Sequence, residues 1–276
     1  MNQSAKKYIA EKLNKKEIDI VVGTHALIQD NVNIPKMGLA VVDEQHRFGV
    51  QQRATLRQKG ENPHMLVMSA TPIPRSLNLT VYGDLDISIL NELPEGRKEI
   101  KTVFINDGDR IKAYEFTRQQ VEKGRQAFVL CPLIEESEIL QTKAATEEYE
   151  KLASDIYSEF NVGLLHGRMK LSEKDKVMNE FQNHDIDILV CTPVIEVGID
   201  IPNASVMIID GADRFGLAQL HQIRGRVGRG EFQSYCVLIA DAPSENAQIR
   251  LKFLESSNDG FELAEQDLKL RGPGDY

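Results

Sequence analysis

The sequence predicts an α/β protein built on mainly parallel sheets, and three observations carry that prediction. Short, almost uninterrupted apolar runs recur along the chain, as expected of strands covered on both faces. Amphipathic stretches lie between them, and such alternation builds βαβ units. A polar break containing Pro94 and Gly96, residues 91–99, separates two blocks of this kind.

Taken in order, residues 1–16 (MNQSAKKYIAEKLNKK) read as an amphipathic helix. Strands are expected at 18–22 (IDIVV), 38–43 (GLAVVD) and 64–69 (HMLVMS) before the break. After it they are expected at 100–105, 126–131, 162–166, 186–191, 205–210 and 234–240. In 142–158, Ala145, Tyr149, Leu152 and Ile156 recur at helical steps. In 172–182, Ser172 and Asp175 resemble a capping box ahead of Val177, Met178 and Phe181. Residues 244–270 read as helical, and RGPGDY then breaks the pattern. The expected division is a first lobe over 1–97, a second over 98–241, and a helical segment over 242–276.

Size and composition bound the class. The 276 residues suffice for two ordinary domains, and 41% hydrophobic with 27% charged residues is usual for a globular protein. No apolar run approaches the roughly 20 residues of a membrane helix, and the N-terminus lacks a signal peptide's apolar centre. An intracellular, cytoplasmic protein without a membrane partner is expected. Cys131, Cys191 and Cys236 stand far apart beside apolar residues, with no CxxC spacing, so buried reduced thiols are expected rather than zinc ligands or disulfides. The six histidines show no HExxH or comparable ligand spacing. A net charge of −9 argues against simple nucleic-acid coating, although a local basic groove is compatible with it.

The chemistry-bearing residues begin with VVDEQHRFGVQQR, residues 41–53, where Asp43 and Glu44 leave a strand side by side. Ligands of open parallel sheets bind beyond the carboxyl ends of strands. Hydrated Mg²⁺ on nucleotide phosphates takes one or two carboxylates, and a neighbouring carboxylate can polarise a water. Alone, the pair reads more readily as an ordinary acidic strand-to-loop turn. In MSATPIPRS, residues 68–76, Ser69 and Thr71 lie at another strand exit. In QLHQIRGRVGRG, residues 219–230, Arg224, Arg226 and Arg229 alternate with glycines. Such guanidiniums suit bidentate phosphate contacts; a solvated basic face or a nucleic-acid clamp is open as well.

Together and in this order, the segments resemble the motor core of superfamily 2 helicases and translocases, whose fold is two RecA-like lobes of the P-loop NTPase type. DEQHRFGVQQR, TPIPRSL and GDLDISILNELPEGR resemble the RecG family of branched-DNA helicases. DGFELAEQDLKLRGPGD resembles the TRG motif that RecG shares with Mfd. Gln45, where Mfd-like proteins tend to carry glutamate, and ILNELPEGR favour RecG.

The resemblance implies roles residue by residue. Asp43 would hold Mg²⁺ through water, Glu44 would activate or position the hydrolytic water, and Gln45 and His46 would sense the γ-phosphate. Ser69, Ala70 and Thr71 would couple nucleotide state to DNA grip. Gln222, Gly198 and Asp200 would face the nucleotide. Arg226 and Arg229 would be arginine fingers from the second lobe, so that hydrolysis needs both lobes. Gly23 and Thr24, His166, Gly167 and Arg168, and Thr192 would approach the DNA backbone. Plainer roles stay open: Thr24 as a cap, His166 bonding a nearby carbonyl, Asp200 closing a turn before Pro202.

The implied protein is an ATP- and Mg²⁺-dependent DNA helicase. It would remodel branched and double-stranded DNA at stalled forks and Holliday junctions, in recombination and repair. A single-stranded-DNA-binding protein is an implied partner, and the intact protein is expected to be a monomer. Alternatives are an Mfd-like transcription-repair coupling translocase and a non-catalytic DNA-binding module. One departure stands out: the phosphate-cradling GxxxxGK[ST] loop occurs nowhere in the sequence. The expectation is a piece of a longer protein that starts within the first lobe, stops within the TRG segment, and neither hydrolyses ATP usefully nor unwinds DNA alone. Its second lobe should fold independently, and its first should expose apolar surface.

Overall fold

The structure is a computed structural model that describes residues 3–29, 32–44, 55–60, 62–70, 86–90, 92, 94, 96–131, 138–193 and 200–271, without the side chains of 138–141 and 271. The chain divides into two compact units, Met1–Thr71 and Pro72–Tyr276.

In the first unit the N-terminal helix α1 spans Gln3–Asn14 and buries Leu13. Strands β1 (Leu39–Val42) and β2 (His64–Val67) pair in parallel, with Val42 opposite Val67. β1 alternates exposed and buried residues: Ala40 and Val42 point inward, while Leu39 and Val41 are 58% and 53% exposed. Leu66 on β2 and Met68 just after it are also exposed, so this sheet does carry the open apolar surface expected of the first lobe. The strand expected at 18–22 does not form. Ile20 and Val22 are 83% and 92% exposed, and the segment adds no strand to the β1–β2 pair. An apolar run becomes a strand only where a neighbour completes its hydrogen bonds.

The second unit is built on six strands, all parallel, in the order β3-β8-β7-β4-β6-β5. These are β3 (Lys101–Asn106), β4 (Gln126–Leu130), β5 (Val162–Leu165), β6 (Ile188–Cys191), β7 (Ala204–Asp210) and β8 (Tyr235–Ala240). β4 and β6 are buried at every position, and β7 at every position but its last. Their unbroken apolar stretches, AFVL, ILVC and VMII, match strands packed on both faces. The outer strands β3 and β5 are covered less evenly.

Helices α2 (Arg110–Glu122) and α3 (Glu138–Lys151) cover one face, joining Ala113, Tyr114, Val121 and Ala145 to the inner residues of β4, β6, β7 and β8. The other face carries α4 (Leu171–Gln182), α5 (Leu217–Arg224), α6 (Glu245–Ser256) and α7 (Gly260–Arg271) through Phe181, Leu220, Leu254 and Leu263. Two details differ from expectation. The cap of α4 is a bond from the Lys170 N–H to the Glu173 carboxylate at 2.8 Å, because the helix begins one residue before Ser172. The stretch 244–270 is two helices broken at 257–259, with the Ser244 hydroxyl capping the first by accepting from Ala247 N. The three cysteines are buried and free. Burial raises all three thiols, Cys236 to about 12, so they are protonated and unreactive at neutral pH.

Candidate functional site

In the first unit, β1 delivers Asp43 and Glu44 beside the exit of β2. The Met68 N–H donates to Val42 O at 2.8 Å, so Ser69 and Ala70 continue from the neighbouring strand end. Glu44 has φ +51, a left-handed conformation rare outside glycine, and its N–H donates to Asp43 Oδ1 at 2.8 Å. Asp43 thus holds the sharp turn that follows the strand. Non-glycine residues in this region cost about 1–3 kcal/mol and gather at functional sites. Gln45, His46 and Thr71 lie outside the described residues. Gly23 has a packing reason: a Cβ there would meet Leu27 Cγ and Cδ1 at 2.9 Å. Thr24 precedes the short helical turn His25–Leu27, which its carbonyl closes by accepting from Leu27 N, while its hydroxyl caps nothing there.

In the second unit, His166, Gly167, Arg168 and Thr192 gather where β5 and β6 end, joined by a bond from Thr192 N to Leu165 O at 3.1 Å. His166 Nδ1 and Thr192 Oγ1 are buried and have no hydrogen-bond partner among the described residues. Burial, then the cations of Lys174 and Arg168, lower the His166 pKa. Its ring is therefore neutral at neutral pH, and Lys174 and Arg168 supply the positive charge of this corner. Gly167 O accepts from Lys174 Nζ at 2.7 Å, which fixes the turn from the strand into α4.

The arginine-rich stretch resolves into two kinds of residue. Arg224 ends α5 and is 2% exposed. Its Nη1 donates to Leu254 O at 2.8 Å, Ser257 O at 2.9 Å and Thr102 Oγ1 at 3.3 Å, and its Nη2 meets His221 Nδ1 at 3.0 Å. It ties α5 to the end of α6 and the break before α7. The loop that follows carries Arg226 and Arg229. Val227 is a fully buried plug, Gly228 turns the chain at φ +76, and a Cβ on Gly230 would sit 2.3 Å from Pro202 O. Arg229 stays half exposed, 3.6 Å from Asp200 Oδ1, with Nε donating to Gly225 O at 3.4 Å. Two expected nucleotide-facing residues far apart in sequence are therefore neighbours. Gln222 lies on α5, one turn before Arg226; Gly198 is outside the described residues.

Sequence reasoning missed the buried role of Arg224 and also the pair Arg110–Asp210. Arg110 starts α2 and grips Asp210, at the end of β7, through two bonds of 2.9 and 2.7 Å. No local pattern links positions a hundred residues apart.

His221 gives a pH prediction. Burial, then the Arg224 cation, lower its pKa to about 4, against a weaker opposite pull from Asp259. The unfolded chain, with histidine near 6.5, takes up a proton that the folded chain refuses. Stability is therefore complete above about pH 6.5 and is lost progressively as pH falls towards 4, by at most about 3 kcal/mol. Urea titrations on either side of that window should show the loss in the wild-type chain and a flatter profile in His221→Asn.

Comparison with known proteins agrees with this geometry. A DEAD/DEAH box helicase model matches residues 1–80, and a helicase conserved C-terminal domain model matches 110–231. ATP-dependent DNA helicase RecG of Synechocystis is 53% identical over 97% of this chain and 32% of its own length. That of Bacillus subtilis is 52% identical over 98% and 40%, and that of Thermotoga maritima 53% over 99% and 35%. The chain thus spans about a third to two fifths of the length of these relatives. A solved structure of RecG bound to a three-way DNA junction matches with TM-score 0.77 and 49% identity, covering 99% of this chain and 35% of that one. Mss116p bound to single-stranded RNA and AMP-PNP shares the fold alone, with TM-score 0.63 and 18% identity over 96% of this chain and 58% of its own. No helix among the described residues is long and apolar enough to cross a membrane. With both helicase models matched in order and about half its residues shared with RecG along nearly its whole span, the chain belongs to the RecG-like superfamily 2 helicases.

Proposed function

We propose that this chain is the motor portion of an ATP-dependent DNA helicase that remodels branched DNA in recombination and repair, acting in the cytoplasm. The observation that carries the reading is the pairing of Asp200 with Arg229 on the loop that also bears Arg226. That sets an acidic partner against a glycine-hinged loop of guanidiniums, an arrangement suited to phosphate. The RecG relative of known structure is bound to a three-way DNA junction, and branched DNA is accordingly the proposed substrate. A single-stranded-DNA-binding protein is a proposed partner, and the intact protein a proposed monomer. The proposed lobes are 1–97 and 98–241, with 242–276 as the helical TRG segment.

The residues fit ATP and Mg²⁺. No group of three or more potential metal ligands occurs among the described residues, but magnesium held mainly by phosphates and water needs only one or two carboxylates, which Asp43 supplies with Glu44 beside it. Bound ATP–Mg²⁺ would supply the phosphoryl group whose hydrolysis drives the motor. Glu44 positions or deprotonates the attacking water, and Gln45 and His46 read the terminal phosphate. Arg226 and Arg229 neutralise charge that grows on the phosphoryl oxygens, while Gln222, Gly198 and Asp200 orient the nucleotide. Ser69, Ala70 and Thr71 pass the nucleotide state to the DNA-facing residues. Those are Gly23, Thr24, His166, Gly167, Arg168 and Thr192, of which Arg168 brings the fixed charge. Since no GxxxxGK[ST] loop occurs in these 276 residues, the chain alone is not expected to turn over ATP.

The test is DNA-stimulated ATPase of the intact protein on junction DNA, with Glu44→Gln as the comparison. Loss of a positioned general base is expected to lower kcat by about 10²–10⁴-fold. Equal rates in the two proteins would sink the motor reading.

A further inference from the structure

The polar stretch ahead of the second lobe has no role in the reading above. At its end the chain turns: the Arg97 N–H donates to Pro94 O at 3.1 Å and Gly96 adopts φ +81. A positive φ at the third position of a four-residue turn calls for glycine. The turn aims Arg97 inward, where its Nε donates to Gly228 O at 2.8 Å. Gly228 sits between Val227 and Arg229, at the left-handed bend of the arginine loop.

The rest of the stretch follows the loop on both sides. A Cβ on Gly228 would meet Ile100 Cγ1 at 2.8 Å, so the bend rests directly on Ile100. Gln233 Nε2 donates to Glu99 O at 2.7 Å, and Lys101 N to Ser234 O at 2.9 Å. The loop needs such support. It bends at one glycine, passes Pro202 at another, and buries one side chain in the core, that of Val227. Among the described residues, the contacts shown for the Arg229 side chain are both long.

We propose that Arg97 is a positioning residue: its bond to the Gly228 carbonyl sets the loop from which Arg226 and Arg229 reach phosphate. The role rests on the reading of those two arginines as phosphate ligands. Displacing a catalytic group by about 1 Å can cost about 10²-fold in rate, so the tether acts on turnover rather than on substrate binding.

Two measurements test it. In the intact protein, Arg97→Ala is expected to lower the kcat of DNA-stimulated ATP hydrolysis by about ten- to a hundredfold, with KM for ATP within about twofold. Arg97→Lys, which keeps a cationic donor, should recover most of that loss. In the 276-residue chain itself, Arg97→Ala should speed hydrogen exchange at Arg226 and Val227, whose amides bond back to Ile223 O and Arg224 O, and leave β4 and β7 protected. Unchanged exchange at those two amides overturns the proposal, and so does a lysine variant as slow as the alanine one. If Glu44→Gln leaves ATPase untouched, the motor reading fails, yet the exchange experiment still decides whether Arg97 holds the loop.

Discussion

Arg229→Ala, and separately Arg226→Ala, in the intact protein are expected to lower DNA-stimulated ATP hydrolysis by about 10³-fold or more while leaving the fold unchanged. An arginine that meets the charge developing on a transferred phosphoryl group is worth about 10³–10⁵ in rate. The structure explains why stability should be spared at Arg229. Its side chain is half exposed, its distance to Asp200 is 3.6 Å, and its bond to Gly225 O is 3.4 Å long. An ion pair so open to water contributes about 0–1 kcal/mol at most. The check is a kcat measurement beside a thermal unfolding curve for each variant. A large fall in unfolding midpoint with little change in rate would reverse the assignment.

Arg224→Ala should behave in the opposite way. Its guanidinium is buried, and burial lowers its pKa. None of the hydrogen-bond partners shown for it is a carboxylate: they are two carbonyls, a hydroxyl and a neutral imidazole. Removing a buried charge relieves its desolvation, and that favours the variant. The loss outweighs the relief, because alanine strands Leu254 O and Ser257 O without a donor. Unsatisfied buried polar groups cost about 1–3 kcal/mol each, and the vacated volume adds a cavity. The expected destabilisation is about 3–5 kcal/mol, felt first where α6 ends and α7 begins. Hydrogen exchange along 251–271, together with urea unfolding, measures it. A loss below about 1 kcal/mol, with α7 still protected, would show that Arg224 is not the tie between these helices.

The two predictions concern one stretch, and they show where sequence reading stops. In QLHQIRGRVGRG the three arginines are alike in type and spacing, and as a set they read as phosphate ligands. The helix ends at Arg224, so this residue faces Leu254 and Ser257 from the covered side of the sheet, while Arg229 lies beyond the Gly228 bend. Which arginine is structural depends on where α6 and α7 return, and those helices are distant in sequence. The same holds for Arg110 with Asp210, and for Arg97 with Gly228. Each is a contact between segments that no periodicity connects.

The strands were far more legible. Eight of the nine expected runs form strands, and those with the unbroken stretches AFVL, ILVC and VMII became inner strands of the six-stranded sheet. The exception, IDIVV at 18–22, shows that an apolar run is necessary and insufficient, since no strand is paired with it here. The α4 cap moved from Ser172 to the Lys170–Glu173 bond for a local reason: the N-cap lies two residues earlier than side-chain preference indicated.

By itself the sequence determined the class, the parallel strands, the thiols' inert burial and the order of the helicase segments, because these depend on local composition and short-range pattern. Only the tertiary structure decided which arginine is a strut, that Asp200 lies against Arg229, and that Arg97 reaches the loop bend. Such pairings are set by how a packed chain folds back on itself, and burial changes a guanidinium from a solvated charge into a group that must find its acceptors.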